Sequence, residues 1–156
     1  MAKKPKKSPD GRKVVAVNRR ARHEFHFVDE FEAGLVLIGS EVKSIRDGKA
    51  SLSEAYGRVI NGEIWLLGLH IAEYDAARYF GHQPRRQRKL LLKRSEIKKI
   101  ERKVKQTGFT LVPVELYFNE RGYAKLKLVL ATGKKDHDKR EAIKKRDTER
   151  ELRSYK

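Results

Sequence analysis

The sequence contains no cysteine, and that absence removes disulfides, thiolate zinc sites and thiol nucleophiles together. It fits a reducing compartment such as the cytoplasm. Long apolar runs are missing too: nothing approaches the roughly 20 consecutive apolar residues that a membrane-spanning helix needs. The basic start, Met1 to Lys7, is followed by no apolar segment, so no secretory signal is expected. Acidic residues are scarce beside basic ones, 21 Asp and Glu against 38 Lys and Arg, a formal net charge of +17. A compact chain with that charge repels itself, so a polyanionic partner is expected: nucleic acid first, an anionic membrane surface second. Catalytic signatures are absent as well. There is no Walker-type phosphate loop and no H-E-x-x-H pair. His23-Glu24 and His137-Asp138 offer acid–base pairs with no obvious third group. No catalytic residue, metal site or cofactor is expected.

The charge is unevenly placed. Residues 1–22 carry nine Lys and Arg against one Asp, residues 23–81 five against ten acids, and residues 82–105 eleven against two. Basic blocks therefore flank a mildly acidic, more apolar stretch. The 156 residues fit one domain. Residues 1–13 have almost nothing to bury and read as a disordered basic N-terminus. Residues 14–133 read as the folded body. Residues 134–156 hold only Ala142, Ile143, Leu152 and Tyr155 as apolar or aromatic groups, too few to offset the entropy of ordering. Yet Glu141/Lys145 and Glu149/Arg153 stand four apart, a spacing that supports a helix. The tail is expected to be disordered when free and helical on a partner.

Within the body, Glu24 to Val28 alternates like a strand, and Ala33 to Gly39 is a second short strand-like run. Ser40 is a candidate N-cap for a helix ending at Gly48. Asn61-Gly62 between two apolar runs predicts a hairpin, because both turn positions need positive φ. Residues 70–88 lack a period and read as an extended loop. Lys89 to Arg94 is a candidate short strand. Ser95 is a candidate cap for a helix with an Ile97, Ile100, Val104 stripe. Pro113 interrupts the strand Phe109 to Phe118 and predicts an edge or a bulge. From Tyr123 to Ala131 the alternation puts Leu126, Leu128 and Leu130 inward and Lys125 and Lys127 outward. These elements predict a mainly β fold: a small antiparallel barrel with two or three short helices.

Two clusters suit RNA. Asn18-Arg19-Arg20-Ala21-Arg22-His23 offers guanidinium forks for phosphate, with Asn and His for base edges or a 2′-hydroxyl. Arg85-Arg86-Gln87-Arg88-Lys89 leads into three leucines; an exposed one could pack on an unstacked base, and the alternative is that all three are core. By spacing alone Glu32 is a solvated strand-edge acid, since a carboxylate repels phosphate. His137 is, by composition, an idle tail histidine.

The stretches N-R-R-A-R-H-E-F, E-A-G-L-V-L-I-G-S-E-V-K-S-I-R-D-G-K-A-S-L, P-R-R-Q-R-K-L-L-L and G-K-K-D-H-D-K-R occur in order and closely resemble the SsrA-binding (small protein B) family. The resemblance implies an OB-type barrel that binds the tRNA-like domain of transfer-messenger RNA and delivers it to stalled ribosomes for trans-translation. Elongation factor Tu would be met indirectly, through the RNA. The tail would occupy the decoding centre of the small subunit and the mRNA channel, against ribosomal RNA. By position, Asn18, Glu32 and Leu91 match the family's RNA-binding residues, which reverses the bland reading of Glu32. Around them, Arg19, Arg20, Arg22, His23, Arg85, Arg88, Lys89, Lys125 and Lys127 are the candidate RNA contacts. Gly133 matches the tail's pivot. Lys134, Lys135, His137, Asp138, Lys139 and Arg140 match its ribosome-facing motif, continued by Ile143 and Lys144. Phe25 departs from the family, where Tyr is common, and lacks any hydroxyl contact made there. The alternative expectation is a ribosomal protein or general RNA chaperone that binds RNA non-specifically.

Overall fold

The structure is a computed structural model that describes residues 6–7, 11–74, 81–106, 108–134 and 136–154. In chain order the strands are β1 (Lys6–Lys7), β2 (Lys13–Val17), β3 (Phe25–Leu35), β4 (Ala50–Ser51), β5 (Tyr56–Ile60), β6 (Glu63–Leu67), β7 (His70–Ile71), β8 (Arg88–Leu91), β9 (Phe109–Phe118) and β10 (Ala124–Gly133). The helices are α1 (Ala21–Glu24), α2 (Gly39–Arg46), α3 (Arg94–Val104) and α4 (Asp136–Ser154). All strand pairings are antiparallel.

Strand order closes a ring. β9 pairs with β10, β10 with β3, β3 with β8, β8 with β6, β6 with β5, and β5 returns to β9 through Gly57 and Leu111. One edge of β9 takes β10; the other is shared between β5 and β2, and β1 continues beyond β2. The interior is filled by Phe31, Ala33, Ile64, Leu66, Leu90, Leu111, Leu116, Leu126, Leu128 and Leu130. The seam is tight: a Cβ added at Gly57 would stand 2.8 Å from Leu111 Cβ. Overpacking of this kind costs about 1–3 kcal/mol. Gly57→Val is therefore expected to lower the stability read from urea unfolding by that amount.

The local devices follow from the sequence, with corrections. Asn61 and Gly62 have φ of 51° and 74°, which suits an Asn-Gly hairpin turn between β5 and β6. Pro113 marks a bulge, not an edge: Lys127 faces Glu115 and Leu128 faces Pro113, so Val114 is the extra residue. The bulge reverses which side chains face inward. Leu111 points to the core before it and Leu116 after it, while Val112 and Val114 turn outward. There they join Ala21, Val129 and Ala131 in a second small core on the outside of the barrel, flanked by Phe25 and Phe27. The two short strands expected at 24–28 and 33–39 are one strand, β3; Val36–Ile38 leave it and α2 follows.

Ser40 and Ser95 are not caps. α2 follows Ile38, whose N–H is accepted by Glu41 at 2.8 Å, and α3 follows Lys93, whose N–H is accepted by Glu96 at 3.0 Å. A glutamate three residues in thus replaces the serine hydroxyl as the group that satisfies a terminal N–H. Ser40 instead bonds His82 at 2.8 Å. Part of the loop expected at 70–88, residues 75–80, lies outside the described residues. The rest is held: His82 Nε2 is 3.0 Å from the Ile71 carbonyl, and Ser44 donates to the Ala72 carbonyl at 2.6 Å.

Candidate nucleic-acid interface

Alternation along β9, β10, β3 and β8 brings several of the expected residues onto one outer face. In cross-strand register, Glu115 stands beside Lys127, and Lys127 beside Glu32. The next row is Tyr117, Lys125, Gly34 and Leu91. Glu32, Leu91, Lys125 and Lys127 are therefore neighbours, although as much as 95 residues of chain separate them. Lys127 is half-buried and lies 3.5 Å from Glu30, so this lysine is held in place rather than waving in solvent.

Glu32 is exposed and accepts the Tyr117 hydroxyl at 2.6 Å. Burial, then the bond to Glu32, push the Tyr117 hydroxyl above its ordinary range, so it stays protonated as a donor. Arg12 covers Tyr117 with its guanidinium 5.0 Å from the ring centre and lies 3.7 Å from Glu115. One carboxylate oxygen of Glu32 is thereby fixed and the other is available. A fixed carboxylate is an acceptor for amino and imino donors, which bases carry on their edges and phosphates lack.

Of the three leucines, Leu90 is buried, Leu92 packs partly against the core and Leu91 is 53% exposed. Leu91 packs over Gly34: a Cβ added at Gly34 would stand 3.4 Å from Leu91 Cβ. An exposed leucine on a glycine floor gives a small apolar platform beside two lysines.

The arm lies elsewhere on β9. Asn18 N–H donates to Val114 O at 2.8 Å and its Nδ2 donates to Pro113 O at 3.3 Å, so the bulge anchors it. Arg19 and Arg20 are exposed beside a shallow cleft with Ser51 and Ser53. Arg22 lies over Phe27, its guanidinium 5.9 Å from the ring centre. Asn18 and Glu32 are thus linked through β9 but share no contact. The tail root is tied to the arm: Lys134 donates its N–H to Glu24 O and its Nζ to Arg22 O, both at 2.9 Å, and Arg146 meets His23 at 3.2 Å. Gly133 ends β10 opposite Phe25. Beyond it, α4 presents exposed side chains wherever they are described, including Arg140, Ile143 and Lys144. Lys135 and the side chains of His137, Asp138 and Lys139 lie outside the described residues.

Arg88 is corrected. It is fully buried and cannot reach a phosphate. Its Nε donates to Glu41, its Nη1 to Leu69 O at 2.6 Å and its Nη2 to Pro84 O at 3.1 Å. Glu41, also fully buried, accepts Arg86 at 2.6 Å on its other oxygen. Burial raises the Glu41 carboxyl, but hydrogen bonds from Arg86, the Ile38 N–H and Arg88 outweigh it, and the net shift is below the usual carboxylate range. This cluster fastens the basic loop to α2 and so positions β8. Arg85 remains exposed and pairs with Glu54 at 2.7 Å; Lys89 pairs with Glu63 at 2.9 Å. Sequence reasoning missed Tyr117, Arg12 and Gly34. The period-2 pattern of β9, which puts Glu115 and Tyr117 on one side, is the signal that could have found Tyr117.

No helix among the described residues is long and apolar enough to cross a membrane. No group of His, Cys, Asp and Glu among them could hold a metal ion.

The SmpB protein family model matches residues 15–156. An SsrA-binding protein from a Chelativorans species is 55% identical over 138 residues, covering 88% of this chain and 89% of its own. An SsrA-binding protein from Brucella canis is 53% identical over 148 residues, covering 95% and 93%. A solved structure described as "tmRNA-SmpB: a journey to the center of the bacterial ribosome" contains a chain 47% identical, with a TM-score of 0.65 over 81% of this chain and 92% of that one. The chain belongs to the SmpB protein family.

Proposed function

We propose that this chain is the protein partner of transfer-messenger RNA. It binds the tRNA-like domain and delivers the RNA to stalled ribosomes for trans-translation. Family membership supports the RNA partner, and the neighbouring ribosome structure supports the setting. The observation that carries the reading is the outer face itself: a carboxylate fixed by Tyr117, in register with Lys127 and one row from Lys125 and an exposed leucine. Phosphate contacts from Arg19, Arg20, Arg22, Lys89, Lys125 and Lys127 supply sequence-independent affinity. Asn18, Glu32 and Leu91 fix the docking site.

The barrel, residues 14–133, is OB-type in this reading. The tail from residue 134 enters the decoding centre and mRNA channel, ordered as a helix there and disordered before. Elongation factor Tu acts through the RNA, the protein works in the cytoplasm, and it performs no catalysis. Fluorescence anisotropy at near-physiological salt tests the reading with two RNAs, the tRNA-like domain and an elongator tRNA. A clear preference for the first is expected. Equal affinity for both would favour a ribosomal protein or general RNA chaperone instead.

A further inference from the structure

Several cations near the outer face are engaged within the protein. Lys89 holds Glu63, Lys127 lies by Glu30, and Arg86 and Arg88 share Glu41. The outer half of α3 differs. Its inner stripe of Ile97, Ile100 and Val104 packs on the core, with Ile100 fully buried, so the helix is fixed in place. With 3.6 residues per turn, Glu96 and Glu101 fall on the flanks of that stripe and leave the outermost face without an acid. Both carboxylates have local partners: Glu96 accepts the Lys93 N–H, and Glu101 lies 4.0 Å from Lys105. Lys99 is held by Asp29, and its ammonium lies 6.0 Å from the centre of the Phe31 ring.

Lys103 is only partly exposed, its ammonium 5.6 Å from the centre of the Phe109 ring, which leaves Arg94, Lys98 and Arg102. All three are exposed, and among the described residues none has an ion pair or hydrogen bond. They stand four residues apart, an advance of about 6 Å along the axis at each step. Such a rigid ladder matches the repeat of phosphates along a nucleic-acid strand. The place is informative too. α3 begins three residues after Leu91, and the Lys99–Asp29 contact lays it against β3, the strand that carries Glu32.

We infer that Arg94, Lys98 and Arg102 form a phosphate-binding ladder that extends the outer-face interface. It carries the sugar-phosphate backbone of the same RNA whose tRNA-like domain docks at Glu32 and Leu91. The inference rests on the function proposed above. It divides the labour: α3 supplies charge without sequence, and β3 and β8 supply the contacts that choose the RNA.

The test uses the full chain with the Arg94→Gln, Lys98→Gln, Arg102→Gln triple variant and a charge-matched control, Arg46→Gln, Lys49→Gln, Arg121→Gln. Anisotropy with the tRNA-like domain is read across a salt series. The α3 variant is expected to bind more weakly, with a salt slope smaller by about 2–3, roughly 0.7–0.9 for each phosphate no longer neutralised. The control is expected to keep the wild-type slope. Circular dichroism monitors α3, and a single Lys98→Gln gives the one-phosphate version if the triple variant unfolds the helix. An α3 slope equal to wild type, or an equal fall in slope for both variants, would overturn the ladder. A wild type with no preference for the tRNA-like domain would instead overturn the docking reading on which the ladder rests.

Discussion

A chain ending at Lys134 is expected to bind the tRNA-like domain with wild-type affinity and to give no tagging of nascent chains on stalled ribosomes. The barrel closes through β10, and the second core is complete by Ala131, so removal of α4 leaves every buried residue in place. Lys134 is retained because its two hydrogen bonds tie the end of β10 to the α1 arm beside Asn18. Beyond it, Ile143 and Leu152 are 44% and 63% exposed, so the described part of α4 has no core to stabilise it. A helix whose described side chains are exposed and whose link to the body is the Arg146–His23 contact is marginal in water. In the proposed function the decoding centre is the partner surface that stabilises it. A reconstituted system with stalled ribosomes, read by tagging and by RNA binding in parallel, separates the two roles. Full tagging from the shortened chain would remove the tail from the mechanism.

Arg88→Met is expected to destabilise the protein by about 3–5 kcal/mol, because it removes the fully buried cation that faces the fully buried Glu41 and leaves it only the partly exposed Arg86 as a charged partner. The readout is the urea midpoint at constant m-value. Joint replacement of Glu41 and Arg88 by Met is expected to recover much of that stability, since no buried charge is then stranded. RNA affinity of the folded fraction should change little, in contrast to a phosphate-contacting arginine. The pH dependence has a definite sign. The Glu41 carboxyl lies below its ordinary value in the folded protein. Its contribution is therefore present above the unfolded-state value and is lost as pH falls through the folded-state value. Glu41→Gln should flatten the acid limb of the stability profile. A wild type and a Glu41→Gln variant with parallel acid limbs would contradict this role.

Much of the fold was legible because its signals are local. Asn61-Gly62 announced a hairpin, Pro113 an edge or a bulge and the Ile97, Ile100, Val104 stripe a packed helix, each within a few residues. Ring closure was not legible, because Gly57 and Leu111 are 54 positions apart and nothing local marks their contact. The site divides the same way. Alternation placed Lys125 and Lys127 outside, but it cannot tell an arginine that faces RNA from one that faces a buried acid. Arg88 and Glu41 are 47 residues apart, so the basic loop reads as uniformly available when its last arginine is internal. Glu32 shows the converse. It reads as an idle acid until the fold supplies Tyr117, 85 residues away, as its fixed partner. Both cases turn on long-range pairs, which composition and periodicity do not carry.

In the proposed function, charge supplies the affinity for RNA and a few fixed groups on the outer face supply choice. The most direct measurement is the ratio of affinities for the tRNA-like domain and an elongator tRNA, compared between wild type and Glu32→Ala at near-physiological salt. The expected result is a clear wild-type preference that Glu32→Ala erases, with little change in salt slope because Glu32 neutralises no phosphate. The same ratio in both proteins would contradict the division between charge and choice and leave the positive charge alone as the explanation of RNA binding.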